Sequence, residues 1–152
     1  MKYDSNNLNK NDEQYTPKYI FDGLGLTFDL DVCAPIGGAP NVPALKHYSI
    51  EDDGLTSEWD GLVWMNPPYS KPTPWADKFI EHRNGIALVP VTRGQWFHRL
   101  WTLADGILPT IYNMKFDRPG GGQNAITFQT VLVAFGEQSV KALYRLDIGK
   151  VR

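Results

Sequence analysis

The chain has 152 residues, 42% of them hydrophobic and 21% charged, with a net charge of −2; it reads as an ordinary soluble globular protein with one hydrophobic core. No stretch approaches the ~20 apolar residues of a membrane span, and no basic-then-apolar leader opens the chain. A single cysteine, Cys33, excludes an internal disulfide and a multi-cysteine metal site and suits a reducing cytosol; with three scattered histidines, no metal is expected.

In chain order, residues 1–12 are polar and read as a disordered segment, and residues 13–152 read as a single domain. Thr16 and Pro17 look like the N-cap and first position of a helix, "PKYIFDGL", that stops near Gly23 and Gly25. "FDLDV" (28–32) predicts a first strand and leads into the Gly/Pro-rich loop "APIGGAPNVP", after which "ALKHYSI" is a short further strand candidate. "GLVWM" (61–65) and "GIALVPV" (85–91) are continuous apolar runs, as in parallel strands covered on both faces. Between them "TPWADKFIEHR" predicts a helix with Thr73 as N-cap and Pro74 at the first position, its Trp75, Phe79 and Ile80 near one face.

A second helix, "GQWFHRLWTLA" (94–104), groups Phe97, Leu100, Trp101 and Ala104. "GILPTIYN" follows, then the loop "DRPGGGQN", the β-prone "AITFQTVLVAF" (125–135) and a closing "KALYRLDI". Alternating strands and helices predict an α/β fold: a mostly parallel sheet with helices on both faces and a terminal antiparallel strand pair.

Charge is unevenly spread. Residues 1–60 hold 11 acidic and 4 basic side chains, and residues 61–152 hold 6 and 11. The basic half is either a polyanion-binding surface or a set of solvated faces that happen to segregate.

The segment "VWMNPPYS" (63–70) ends an apolar strand on an amide, two prolines and a phenol. A rigid turn without chemistry is one reading, and an Asn-Pro-x-Tyr peptide ligand is another. The ligand reading fits poorly, because such peptides lie in exposed flexible segments rather than between a buried strand and a helix. A third reading is a clamp for a planar, amide-like nitrogen. The exocyclic amine of a nucleobase is a poor nucleophile, its lone pair being delocalised into the ring. The Asn66 side-chain oxygen and the Pro67 carbonyl could accept from its two N–H bonds and stabilise the positive charge that develops there. Pro67 and Pro68 lock φ and remove competing donors. Tyr69 offers a face for stacking, at a position a base reaches only by leaving the helical stack. In open α/β sheets, ligands bind outside the carboxyl ends of strands, where this segment falls.

Residues 66–69 match the Asn-Pro-Pro-Tyr signature of amino-group DNA methyltransferases, which use S-adenosylmethionine. The wider chain resembles the compact phage-type DNA N6-adenine methyltransferase (Dam-like) family. The likeness runs from Thr16 and Pro17 through "LDVCA" (30–34), "DGLTSEW" (53–59), "VWMNPPYS" with Trp75, "LVPVTRGQWFH" (88–98) and "KFDRPGGGQNAITFQTVLVAF" (115–135). It implies a compact Rossmann-like methyltransferase fold and methyl transfer to adenine N6 in DNA, with Asn66, Pro67, Pro68 and Tyr69 catalytic. It also implies a cofactor pocket of Thr16, Pro17, Asp31, Cys33, Ala34, Asp53 and Leu55, and a cytoplasmic location, the host's for a phage gene. Carboxylates and backbone carbonyls suit an ammonium group, ribose hydroxyls and an adenine amine. For Asp31 the rival reading is an exposed charge at a strand end, and for Asp53 a turn residue before Gly54.

The resemblance has two departures. The family's Gly-rich loop is replaced by "DVCAPIGG", and the short distance from Asp31 to Asn66 compresses the region of the ribose-binding carboxylate, leaving Glu51 a weak candidate. Relatives carry Thr-Asp-Thr where this chain has Thr92, Arg93 and Gly94, so Arg93 either alters the catalytic rim or adds a phosphate contact. A separate target-recognition domain does not fit into this length, so loops of the domain, or a second subunit, must read DNA. Lys71, Arg93, Lys115 and above all Arg118, beside three glycines, are the DNA-contact candidates. Arg99 reads as a surface charge and Trp96 and Trp101 as packing, while His47 and His98 are as readily structural as functional.

The protein could act as monomer or homodimer. Rival functions are a non-catalytic DNA-binding or host-interaction module on the same fold, and a protein-glutamine methyltransferase.

Overall fold

A computed structural model describes residues 15–111, 114–125 and 128–152. The expected disordered segment 1–12 lies outside the described residues, as do parts of "GILPTIYN" and "AITFQTVLVAF".

The elements follow the order α1 (Lys18–Leu24), β1 (Leu30–Asp31), β2 (Val63–Met65), α2 (Thr73–His82), β3 (Gly85–Pro90), α3 (Gln95–Leu103), β4 (Gly106–Pro109), β5 (Lys115–Asp117), β6 (Gln123–Ala125), β7 (Thr130–Phe135) and α4 (Glu137–Leu146). Five strands form one sheet in the order β1-β2-β3-β7-β4, and β5 and β6 form a separate hairpin. β1, β2 and β3 pair in parallel, whereas β7 runs antiparallel to both β3 and β4. The sheet is therefore mixed. The expected antiparallel pair exists as β4–β7, but β7 lies between β3 and β4 rather than at the edge. The crossover through α3 skips one place in the sheet, and β7 fills it.

The apolar runs are continuous because both faces of the sheet are covered. Val63, Met65, Ala87, Val89, Val131, Val133 and Phe135 point to one face, where α2 supplies Trp75, Phe79 and Ile80 and α3 supplies Trp96, Phe97 and Leu100. Trp64, Ile86, Leu88, Leu132 and Ala134 point to the other, under Ile20, Phe21 and Leu24 of α1 and Ala142, Leu143 and Leu146 of α4. This is the two-residue alternation of a strand read from both sides. Segment 43–48 runs parallel to β1 at its outer edge, as the apolar patch "ALKHYSI" suggests. Phe28 N–H donates to Pro43 (2.8 Å), Asp31 N–H to Lys46 (2.9 Å), and Tyr48 N–H to Asp31 (2.8 Å).

Local details differ from expectation. Pro17, not Thr16, is the N-cap of α1, and Pro72 precedes α2, so neither threonine side chain caps a helix. Proline sets φ for helix entry by itself, which makes a hydroxyl cap dispensable. Trp101 is not part of the buried face of α3: Trp96, Phe97 and Leu100 are buried, whereas Trp101 is 47% exposed and lies against Phe97. The β5–β6 hairpin and the helix α4 are findings of the structure, since 117–124 reads as a loop and the closing segment is assigned to no element from its sequence.

Candidate active site

Because β1, β2 and β3 are parallel, the segments that follow them emerge on one edge of the sheet. These are residues 32–34, 66–69 and 91–94. Pro67 and Pro68 are buried and Asn66 and Tyr69 are partly exposed. The Pro68 carbonyl accepts from Lys71 N–H (3.1 Å), closing the turn into α2. Among the described residues, no backbone N–H donates to the Pro67 carbonyl.

The Tyr69 hydroxyl donates to the Leu88 carbonyl on β3 (3.4 Å). Its ring meets Phe116 (6.5 Å) and Phe128 (5.8 Å) in edge-to-face geometry. The phenol is thus held at both ends. Phe116 and Phe128 fall within the 115–135 stretch of the resemblance, but only the fold brings them to Tyr69.

Asp31 ends β1 and is 2% exposed, so it is not the exposed strand-end charge of the rival reading. Burial pushes its carboxyl up to about 7, against the lowering effect of the Cys33 N–H that donates to Oδ1 (3.3 Å). Ala34 is buried and donates its N–H to Tyr48 (2.8 Å). Asp53 adopts a left-handed conformation (φ 53°). Its Oδ1 is buried without a hydrogen-bond partner among the described residues, an arrangement beyond what a turn requires. A Cβ on the adjacent Gly54 would lie 2.2 Å from the Val32 carbonyl and 3.0 Å from the Trp75 ring, so residues 53–55 press directly on the end of β1. Leu55 packs on the core there.

Thr16 and Pro17 are buried. The Thr16 hydroxyl, freed from capping, is a second buried oxygen without a partner among the described residues. Its carbonyl accepts from Asn41 Nδ2 (2.9 Å), which also donates to Asp117 Oδ2 (2.7 Å). Asp117 in turn pairs with Tyr15 through both backbone groups. With Phe116 against Tyr69, strand β5 stands between Thr16 and the 66–69 loop. Asn41 lies in a Gly/Pro-rich loop without a motif, so nothing local in the sequence marks it.

Lys71, Arg93, Lys115 and Arg118 are all exposed. Lys71 and Arg93 follow β2 and β3 on the edge just described. Arg118 opens the β5–β6 turn, where its N–H donates to Gly122 and its carbonyl accepts from Gly121. Gly120, Gly121 and Gly122 have φ of 82°, 106° and 81°, a run that a side chain would strain. Arg99 is ion-paired with Asp77 on α2, in keeping with its reading as a surface charge. Glu51 is exposed, its N–H donating to Ser49 Oγ. Among the described residues no three His, Cys, Asp or Glu side chains gather as a metal site, and no helix is long and apolar enough to cross a membrane.

The sequence model described as "DNA N-6-adenine-methyltransferase (Dam)" matches residues 4–110, more than half of the chain. The chain belongs to this family. A relative from Haemophilus phage HP1 (strain HP1c1), described as "DNA N-6-adenine-methyltransferase", is 35% identical over 104 residues. That match spans 60% of this chain and 58% of the relative's length. Within this Dam-family chain, the family match over residues 4–110 includes residues 66–69, Thr16, Pro17, Asp31, Cys33, Ala34, Asp53, Leu55, Lys71 and Arg93. Lys115 and Arg118 lie beyond it.

Proposed function

We propose that the chain transfers a methyl group from S-adenosylmethionine to the N6 amine of adenine in DNA. It does so as a single domain over residues 13–152 with a compact Rossmann-like methyltransferase fold, in the cytoplasm. The observation that carries this reading is the position of Asn66, Pro67, Pro68 and Tyr69 at the carboxyl end of β2. There the 31–34 and 53–55 segments lie toward the β1 side, and the phenol is anchored to β3. Family membership supports the same reaction.

The pocket residues fit the methyl donor. Two buried oxygens without partners among the described residues, Thr16 Oγ1 and Asp53 Oδ1, and the buried Asp31 carboxyl are groups that ligand hydroxyls, an ammonium or an adenine amine would satisfy. When bound, the cofactor supplies an electrophilic methyl on a sulfonium.

The chain's own contribution is positioning. A base that leaves the stack rests on Tyr69, a contact worth ~1–3 kcal/mol. The Asn66 side-chain oxygen and the Pro67 carbonyl accept its two N6–H bonds and draw the nitrogen toward tetrahedral geometry. They would stabilise the positive charge that develops on N6 as it accepts the methyl group, and the proton that N6 gives up would pass to water. Lys71, Arg93, Lys115 and Arg118 hold the DNA backbone.

The test is incubation with labelled S-adenosylmethionine and unmethylated DNA, digestion to nucleosides and identification of the labelled species. N6-methyladenine is expected. Labelled N4-methylcytosine would overturn the substrate while keeping the chemistry. Label on protein alone would place the chain with glutamine-modifying enzymes, and no label with no cofactor binding would leave a non-catalytic module.

A further inference from the structure

Lys78 lies on α2, outside every motif, and its ammonium is committed to one short turn. Nζ donates to the carbonyls of Gly54 (3.3 Å) and Leu55 (3.0 Å), and to that of Ser57. It also lies over the Trp59 ring, 5.2 Å from the centroid. Trp59 Nε1 donates to the same Gly54 carbonyl (2.8 Å). From the other side, the amides of Thr56 and Ser57 both donate to the Asp53 carbonyl (3.0 Å each). Residues 53–57 thus form one tight turn whose carbonyl end is capped by a cation, as a lysine caps the end of a helix.

This turn needs such support. Asp53 holds a left-handed backbone, which aspartate tolerates better than most residues but at some cost in strain. Gly54 is wedged between the Val32 carbonyl and Trp75, so the turn has one seat and no slack. Desolvation pulls the Lys78 amine down, while Glu81, Asp53 and Glu58 pull it up, which places the Asp53 carboxylate within its field. Lys78 is also carried by the helix that begins directly after the 66–69 loop, so one rigid element ties the base-binding loop to the turn.

We propose that Lys78 is a positioning residue for the methyl donor: it holds the 53–57 turn so that Asp53 and Leu55 face the cofactor, and thereby sets cofactor affinity. This deepens the proposed function and rests on it.

Calorimetric titration of the full chain with S-adenosylmethionine tests it. Lys78→Met keeps the aliphatic stem over Trp59 but removes the donors and the charge. It is expected to weaken cofactor binding about tenfold, the loss of one charge-assisted hydrogen-bond set. DNA affinity without cofactor should stay as in the wild type, and in turnover the change should appear in KM for the cofactor rather than in kcat. Lys78→Arg, with charge and donors restored, should recover most of the affinity.

Wild-type affinity in Lys78→Met overturns the proposal while leaving the proposed function standing. Absence of binding by the wild type overturns both. Should Lys78→Met lose its cooperative thermal transition, Trp59→Phe, which removes one donor from the same Gly54 carbonyl, must show a smaller loss of the same kind; unchanged affinity there overturns the proposal.

Discussion

Asn41 Nδ2 and Asp117 Oδ2 meet at 2.7 Å although 76 positions separate them, and the same amide donates to the Thr16 carbonyl. One side chain therefore joins the loop after β1, the segment before α1 and the β5–β6 hairpin that carries Arg118. Asn41→Ala leaves a buried-edge carbonyl and a carboxylate without this donor and is expected to destabilise the fold by ~1–3 kcal/mol. Urea denaturation should show a lower midpoint at unchanged slope. An unchanged midpoint would mean that the bridge adds nothing to stability.

Asn66→Ala removes one of the two acceptors proposed for the target amine. Turnover is expected to fall ~100-fold or more, by analogy with the loss of an oxyanion-hole donor. Cofactor affinity should change little, because the role proposed for the amide is toward the substrate. Near-wild-type methylation by the variant would take Asn66 out of the mechanism.

Asp31 makes the pH behaviour predictable. Its carboxyl is raised from the ordinary value of 3.8 to about 7 by burial. Between these values the folded chain binds more protons than the unfolded one, so stability falls as pH rises through the window and levels off above about 7. Asp31→Asn should flatten that profile in thermal melts. A cationic ammonium on the cofactor favours the ionised carboxylate, so binding should tighten from pH 5.5 toward about 7 and then plateau. Calorimetry at several pH values reads this directly, and a pH-independent affinity in the wild type would exclude Asp31 from the contact.

Arg118 opens a turn of three glycines with open space around them, the basis for proposing that its guanidinium meets a phosphate. DNA binding should weaken steeply with salt, and Arg118→Ala should reduce the slope of log affinity against log salt by about one. An affinity flat from low to moderate salt would show that the basic half is not the docking surface.

The residue order by itself determined what depends on near neighbours. Unbroken apolar runs marked β2 and β3, and a β-prone stretch marked β7. Pro17 and Pro74 marked the entries to α1 and α2, and the tetrapeptide at 66–69 marked the end of β2. Tertiary structure decided everything that depends on what packs from far along the chain. Thr16 reads as a helix cap until the structure shows Pro17 taking that place and its hydroxyl buried without a partner among the described residues. Asp31 is the same aspartate in any strand end, yet its proton affinity comes from burial that only the folded chain supplies. Trp101 shares the period of Phe97 and Leu100, yet in the fold it is half exposed while they are buried. The place of β7 inside the sheet, the grip of Lys78 on residues 53–57 and the Asn41 bridge leave no local pattern, because each is set by desolvation and hydrogen bonding between segments that meet only once the sheet has formed.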